Sequence, residues 1–324
     1  MKKIYFLFIG LFISNSAAFA QDDVDDFIDD VLVIGGRFSE PAAEGAAYQA
    51  SAGWFSSAVP LEKWDFRVSL HGNALFVPSD KKEFHLSNSD LKILEIDGAE
   101  SVTLPTAFGG GSSVTLSGEI DFNGQTIPVT NFQAIEGIGR NYVPHAFLQV
   151  AVGVSAGTEV TVRAMPEVKI DGVTASTYGL GAKHNLSQYF GFAYPEDFQV
   201  ALGAAYTKLV VQYDFEPRGA EGLVVLDKID VDANLFMAEL IGSKRWGAFE
   251  VFGAAGAMNS KFSYTFGGTG QVDLVNSEVE RLEDSKMQFK GDLGFNLHFG
   301  RFRLSSMATL GDFFNANLGL HVNI

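Results

Sequence analysis

The sequence predicts an all-β protein, a transmembrane antiparallel up-and-down β-barrel of about 12–14 strands with a short N-terminal amphipathic helix. Three observations predict this fold. Apolar and polar residues alternate along many segments, most segments reach the length that a tilted strand needs to cross a membrane, and short connections contrast with long ones. Because only every other residue of such a strand faces lipid, the hydrophobic content stays ordinary, at 47%.

The chain begins with a predicted secretory signal peptide, residues 1–20. Lys2 and Lys3 precede an apolar run that is too short to span a bilayer comfortably, and small residues precede the expected cleavage site after Ala20. An uncleaved anchor is the alternative. We expect secretion across the inner membrane, followed by an N-terminal periplasmic or plug segment at 21–42 and a barrel at 43–324.

The helix is predicted at residues 22–34, where apolar side chains recur at helical spacing opposite aspartates. Its apolar stripe consists of Phe27, Ile28, Val31 and Leu32. We hypothesise that this stripe caps the periplasmic mouth of the barrel and restricts passage. A solvated acidic tail is the alternative, since an isolated helix of this length is marginally stable.

Eleven strands follow from the alternation, and an even-numbered barrel needs at least one more between 78 and 145. The best candidate is 112–122, and a further pair is possible at 82–86 and 91–96. The eleven strands are predicted at 46–55, 64–73, 146–155, 158–170, 175–187, 198–215, 229–243, 247–266, 286–299, 302–310 and 315–324. Short turns at 155–157, 243–246 and 300–301 are typical of the periplasmic end.

Strand 286–299 and its neighbours show which side chains face lipid. Phe289, Phe295 and Phe299 are predicted to point outward, and the opposite, polar face resembles a crowded wet lumen. The side chains predicted to line the lumen are Asp65, Arg67, His71, Lys290, Asp292, His298 and His321.

Three segments carry a resemblance to a known family: GWFSSAVPLEKWDFRVSLHGNALFVPSDKKEF (53–84), YGLGAKHNLSQYF (178–190) and FQVALGAAYTKL (198–209). They resemble uncharacterised outer-membrane barrels of Bacteroidota-type Gram-negative bacteria, a family without established activity. The resemblance implies a barrel in the outer membrane. More distantly, the layout is similar to that of the long-chain fatty-acid transporters, although no Asn-Pro-Ala box follows the signal peptide.

Composition and motifs argue against several other classes. The chain has no cysteine, and its net charge of −16 disfavours nucleic acid as a partner. Ser69 and His71 lie two residues apart on one strand face, a spacing that allows a catalytic pair. Polar lumen side chains form hydrogen bonds with one another in any barrel, however, so we expect no enzyme. The N-terminal aspartates lack an EF-hand spacing, and the glycine-rich stretches lack a phosphate-binding context. We therefore expect no metal and no cofactor.

Two functions remain open from the sequence. The first is a channel or transporter for small or apolar solutes, with outer-membrane lipid as its surroundings. The alternative is a non-conducting structural or binding barrel with a filled lumen and outer loops that bind a partner. Many apolar inward side chains would favour an apolar conduit, and a continuous polar path would favour a solute pore. The sequence does not indicate an oligomeric state.

Overall fold

A computed structural model describes residues 16–122, 125–170, 172–192, 197–279 and 285–324. Residues 1–15 of the predicted signal peptide lie outside the described residues. Within the described residues, neither helix is both long enough and apolar enough to cross a membrane. In chain order the elements are α1 (Ser16–Ser51), β1 (Phe66–Phe76), β2 (Glu83–Ser87), β3 (Glu95–Ile96), β4 (Ser101–Pro105), β5 (Thr115–Phe122), β6 (Gln125–Gln133), β7 (Tyr142–Gly153), β8 (Thr158–Ile170), β9 (Val173–Asn185), β10 (Gln199–Ala220), β11 (Val224–Trp246), β12 (Phe249–Gly270), α2 (Val272–Val279), β13 (Ser285–Phe299), β14 (Phe302–Gly311) and β15 (Phe314–Asn323).

β1 and β7–β15 form a closed antiparallel barrel, in which β1 pairs with both β7 and β15. The predicted antiparallel barrel with an N-terminal helix is therefore confirmed. The predicted count of about 12–14 strands is wrong, because the described barrel has ten strands. The candidate strand at 112–122 and the candidate pair at 82–86 and 91–96 lie in two small sheets outside the barrel, β2–β4 and β3–β5–β6.

The strand predicted at 46–55 is also wrong, because most of this segment completes α1. The alternation at 46–55 does not correspond to a strand, because nearly all of these residues are buried. A helix that is buried on all sides shows no clear hydrophobic periodicity in its sequence. The helix is longer than predicted and continues through Gly35, Gly36 and Pro41. Close packing explains this: a Cβ on Gly45 would lie 2.9 Å from both Leu75 and Phe108, so tertiary contacts outweigh local propensity.

The outside of the barrel carries a continuous belt of exposed apolar side chains. Leu293 on β13 is 62% exposed, and every strand of the barrel wall contributes similar residues. The eleven residues of β1, tilted as barrel strands are, rise by about 25 Å, which matches the apolar band of a membrane barrel. Aromatic side chains concentrate at both edges of the belt: Trp64, Phe66, Phe198, Trp246, Phe249, Phe299 and Phe302 at one, and Phe76, Tyr142, Tyr178, Phe236, Phe289 and Phe314 at the other.

The two ends of the barrel differ. The turn end holds the start of β1, the end of β15 and the short turns at 247–248 and 300–301. The insertion end holds residues 77–141 and the projecting parts of β10, β11 and β12, which are 22, 23 and 22 residues long. Ion pairs such as Lys169–Asp214, with 2.9 Å between Nζ and Oδ2, cover the outer surface there instead of apolar residues.

Helix α1 enters the barrel from the insertion end. The predicted stripe, Phe27, Ile28, Val31 and Leu32, is buried. It packs against the projecting strands and α2 at the insertion end. The predicted location, the mouth where β1 begins, is wrong. The C-terminal half of α1 lies inside the barrel, and residues 52–65 continue to the turn end. The helix therefore caps one end of the barrel while the chain that follows it fills the other.

Candidate functional site

Residues 52–61 run through the turn-end half of the lumen. From here on we call residues 52–61 the plug segment; they follow the N-terminal segment 21–42 that the sequence predicted as a plug. Arg163 on β8 holds its beginning: Nη1 donates to the carbonyls of Ala50 and Ala52, both at 2.9 Å. The guanidinium carbon lies 4.1 Å from the ring centre of Trp54 and 3.9 Å from that of Phe147. Arg163 thus combines hydrogen bonds with two cation–π contacts in a fully enclosed position.

The middle of the plug segment is held by β9. Lys183 Nζ donates to the carbonyls of Ser57 at 2.9 Å and Val59 at 3.1 Å, and Asn185 Nδ2 donates to the carbonyl of Ala58 at 3.0 Å. A chain without regular secondary structure can be buried only if its backbone groups find partners. These side chains supply those partners.

β12 and β13 hold the plug segment from the opposite wall. Asn296 Nδ2 donates to the carbonyl of Ser56 at 2.6 Å and to Glu250 Oε2 at 2.9 Å. Glu250 also accepts a hydrogen bond from Ser57 Oγ at 2.5 Å, and its Oε2 lies 2.9 Å from His298 Nε2. The lumen at this level is therefore filled by the chain, whereas the sequence predicted a wet lumen.

A buried charge cluster lies at the junction between α1 and the plug segment. Lys290 Nζ lies 2.6 Å from Glu239 Oε2 and 2.8 Å from Asp292 Oδ2, and it also donates to the carbonyl of Ser51 at 3.3 Å. Thr309 Oγ1 donates to Asp292 at 2.6 Å. Buried charges persist only when they are paired and hydrogen-bonded in this way.

Glycines in the barrel wall make room for the plug aromatics. A Cβ added to Gly179 or Gly181 would lie 2.6 Å or 2.9 Å from the Trp54 ring, and one added to Gly203 would lie 2.5 Å from the Phe55 ring. Two of the segments quoted for the family resemblance, 178–190 and 198–209, supply these glycines, and the third contains both rings. The segments that carry the resemblance thus include the plug aromatics and the wall glycines that they contact.

We predict that Gly203→Ala destabilises the barrel, because the new methyl group overlaps Phe55. Overpacking of this kind costs about 1–3 kcal/mol. The control is Gly291→Ala, whose Cβ would have no neighbour closer than 3.9 Å. Urea midpoints, followed by heat-modifiable gel migration, measure both changes. Equal midpoints for the two variants would contradict the role of Gly203 as a seat for Phe55.

The structure brings most of the predicted lumen residues to the inner face. His321 Nδ1 lies 2.7 Å from Ser69 Oγ, and His71 stacks on Phe147 with 4.7 Å between ring centres. Asp65 differs, because it precedes β1 and its side chain is exposed. Arg67, His71, Lys290, Asp292, His298 and His321 all point into the barrel and are buried or partly buried.

Sequence reasoning missed the anchors Arg163, Lys183, Glu239 and Glu250. All four lie on strands that were predicted, but Glu239 shares its face with Leu235, Met237 and Ile241, so alternation does not mark that face as polar. For Arg163, Glu239 and Glu250 the signal was a charged residue between apolar neighbours on a strand, where burial of the charge is costly unless a group inside the barrel pairs with it. Residues 56–61 of the plug segment carry no periodic signal, and the alternation at 46–55 predicted a strand.

A separate anchor fixes α1 to the insertion. Asp30 is buried and accepts hydrogen bonds from the backbone N–H groups of Lys92, Ile93 and Leu94, at 2.7, 2.8 and 2.7 Å. Burial raises the pKa of the Asp30 carboxyl, and the three N–H donors act in the opposite direction. The cap at the insertion end is thus tied to the helix by polar contacts as well as by its apolar core.

Above the plug segment, an apolar cavity of about 500 Å³ lies between α1 and the barrel wall. Gln49 of α1 lies at its edge and donates through Nε2 to the carbonyl of Val143 at 2.7 Å. Both ring nitrogens of His145, which also lines the cavity, are buried and have no hydrogen-bond partner among the described residues. Apolar lining residues include Ala43, Ala46, Leu75, Phe108, Met165, Ala175, Leu209, Val211, Ile229, Val231 and Phe262.

Comparison with known proteins assigns a family. The sequence matches a family of unknown function, DUF6588, over residues 1–324. The chain belongs to the DUF6588 family. A search of curated proteins finds no match to this DUF6588 chain.

Solved structures give only weak similarities to the DUF6588 chain. The outer-membrane protein OprG from Pseudomonas aeruginosa is 10% identical, with 81% of this chain and 96% of that chain covered and a TM-score of 0.29. A FadL homologue from Pseudomonas aeruginosa is 11% identical, with coverage of 78% and 61% and a TM-score of 0.30. The β domain of the Bordetella autotransporter BrkA is 12% identical, with coverage of 81% and 99% and a TM-score of 0.35. Similarities this weak carry no argument about function.

Metal chemistry finds no support in the described part of this DUF6588 chain. There, no group of three or more His, Cys, Asp or Glu side chains is arranged to hold a metal ion. The buried acidic groups of the lumen are paired with lysines, arginines, histidine or backbone donors instead.

Proposed function

We propose that this protein is an outer-membrane barrel that binds an apolar or amphipathic small molecule in its lumen and passes it to or from the membrane. The observation that supports this proposal most directly is the apolar cavity of about 500 Å³ between α1 and the wall. Its size lies within the usual range for small-molecule sites, and its walls offer few hydrogen-bonding groups.

The outer surface supports the membrane part of the proposal. A belt of exposed apolar side chains surrounds the barrel, and a soluble protein rarely exposes so large an apolar area. The predicted signal peptide directs the chain across the inner membrane. Closed barrels and helices are the structures that satisfy backbone groups within a bilayer.

The lining supports an apolar ligand over a water-soluble solute. A cavity lined by aliphatic and aromatic side chains is poorly hydrated, so an apolar molecule fills it at little cost. His145 adds a polar contact in this space, where a hydrogen bond would be stronger than in water. The ligand class that fits is a molecule with an apolar body and one polar group.

The plug segment favours a second candidate function, a structural barrel that conducts nothing. Arg163, Lys183 and Asn296 anchor residues of this segment across the lumen, so the turn end is filled. A filled lumen argues against an open pore for small solutes. It leaves both the apolar-ligand barrel and the structural barrel as candidates, and ligand binding separates them.

We predict that Ala175→Phe, which places a phenyl ring in the cavity, weakens binding of a fluorescent single-chain fatty acid by about tenfold or more, or at least about 1.4 kcal/mol. The control is Ala204→Phe, because Ala204 lies on the outward face of β10. Fluorescence titration of the purified protein in nanodiscs measures both affinities. If the unmodified barrel binds neither this probe nor any co-purifying lipid, the structural barrel becomes the better proposal.

A further inference from the structure

The barrel wall is incomplete between β7 and β8. The two strands pair only where Leu148–Gly153 lies against Glu159–Ala164. Towards the insertion end, residues 142–147 of β7 still pair with β1, and β8 continues to Ile170 beside β9, but no pairing joins the two strands to each other. Among the described strands of the barrel, this leaves two facing edges without a ladder.

Two prolines mark this gap. Pro144 lies on the free edge segment of β7 and Pro166 on that of β8, and neither has an N–H group to donate. The pairing of β8 with β9 also shifts register between Met165 and Val168, so β8 bends where Pro166 lies. The sequence therefore specifies the gap, since both edges lose a donor close to the point where pairing stops.

The apolar cavity extends to this gap. Inward residues such as His145 and Met165 line it, as expected for a lumen cavity, but so do Pro144 and Ala146, which lie on the outward side of β7. Val168, also in the lining, is 41% exposed. The cavity is therefore bordered by residues from the inner and the outer face of β7 at the gap.

The gap lies within the apolar belt. Tyr142, at its insertion-end limit, pairs with Phe76, and both rings are exposed at the edge of the belt. Leu148, at its other limit, is 54% exposed on the outer surface. Unpaired backbone groups in hydrocarbon are costly, so an interrupted ladder at this depth is expected where it serves binding or passage.

We infer that the gap between β7 and β8 is a lateral portal, through which a single-chain amphiphile moves between the membrane and the cavity. This inference rests on the proposed function and specifies the route and the ligand class. The acyl chain occupies the apolar cavity beside α1. Its polar group lies at the inner rim of the portal, within reach of the buried ring nitrogens of His145.

The absence of cysteine from the chain allows a direct test. Ala175→Cys places one thiol in the cavity, and the protein is reconstituted in liposomes. A long-chain N-alkyl maleimide reaches the thiol from the membrane, whereas a charged methanethiosulfonate reaches it from water. We expect the alkyl reagent to react and the charged reagent to react far more slowly.

The portal is then narrowed in the same background. Ala146→Trp adds a large ring at the rim, and Pro144→Ala with Pro166→Val restores two N–H donors so that the strands can pair. We expect either change to slow alkylation by about tenfold, while Ala204→Trp, outward on β10, leaves the rate unchanged. Heat-modifiable migration verifies that each variant is folded.

The outcomes separate the portal from the proposed function. If the alkyl reagent reacts at the same rate in the narrowed variants, or the charged reagent reacts as fast, the ligand reaches the cavity by another route and the portal is wrong. The proposed function then stands. If neither reagent reaches the thiol of the folded protein, the cavity is closed and both proposals fail.

Discussion

Replacing Arg163 with alanine is expected to convert a barrel that conducts no ions into one that conducts them. The substitution removes the donors to Ala50 and Ala52 and the cation between Trp54 and Phe147. It also leaves buried carbonyl groups without partners. Each buried carbonyl left without a partner costs about 1–3 kcal/mol, so the loss of both donors shifts the equilibrium between the bound and the released plug segment by about thirtyfold or more.

Conductance across a planar lipid bilayer measures this effect. The unmodified protein should show no channel steps, and Arg163→Ala should show frequent ones. Lys208→Ala is the matched control, because Lys208 pairs with Asp232 on the outside of the projecting strands and both side chains are partly exposed. An exposed pair contributes about 1 kcal/mol or less. A folded Arg163→Ala barrel that stays silent would contradict the role of Arg163 in holding the plug.

The second large effect concerns the apolar belt. Leu293→Arg places a charge midway along the exposed face of β13, and we expect it to destabilise the barrel in lipid by about 2–4 kcal/mol. Phe299→Arg, on the same face at the turn end, should cost about 0–1 kcal/mol because the charge lies near the headgroups. Both side chains are largely exposed, at 62% and 60%, so neither change removes core packing.

Urea unfolding in vesicles, followed by heat-modifiable migration, gives both free energies of unfolding. The two variants share the strand, its outward face and the introduced side chain, so depth in the membrane is the main difference between them. Equal losses at the two positions would show that the belt does not face a bilayer. A larger loss at Phe299 would place the membrane at a different height on the barrel.

Alternation predicted much of the barrel because it is a local property of the chain. The strand predicted at 158–170 coincides with β8, and that predicted at 302–310 lies within β14. The family resemblance is confirmed at the level of a family of unknown function, whereas its assignment to Bacteroidota-type bacteria stays a prediction.

The candidate site could not be predicted in the same way. Most of the plug segment has no repeating pattern, and its partners, such as Lys183, are far away in the sequence. The cavity depends on how closely Gly45 lets α1 approach Leu75, which is a property of packing. Pro144 and Pro166 were visible in the sequence, but only the register of β7 against β8 shows that they face the same gap.

The hydrogen bonds of the plug segment also constrain the order in which the molecule can form. Ser56 is separated from its partners Asn296 and Arg303 by 240 and 247 residues. Contacts of such long sequence separation form late and slowly. The plug segment therefore reaches its final position only after the last strands have been synthesised. Closure of the wall and seating of the plug are expected to be one concerted event late in biogenesis.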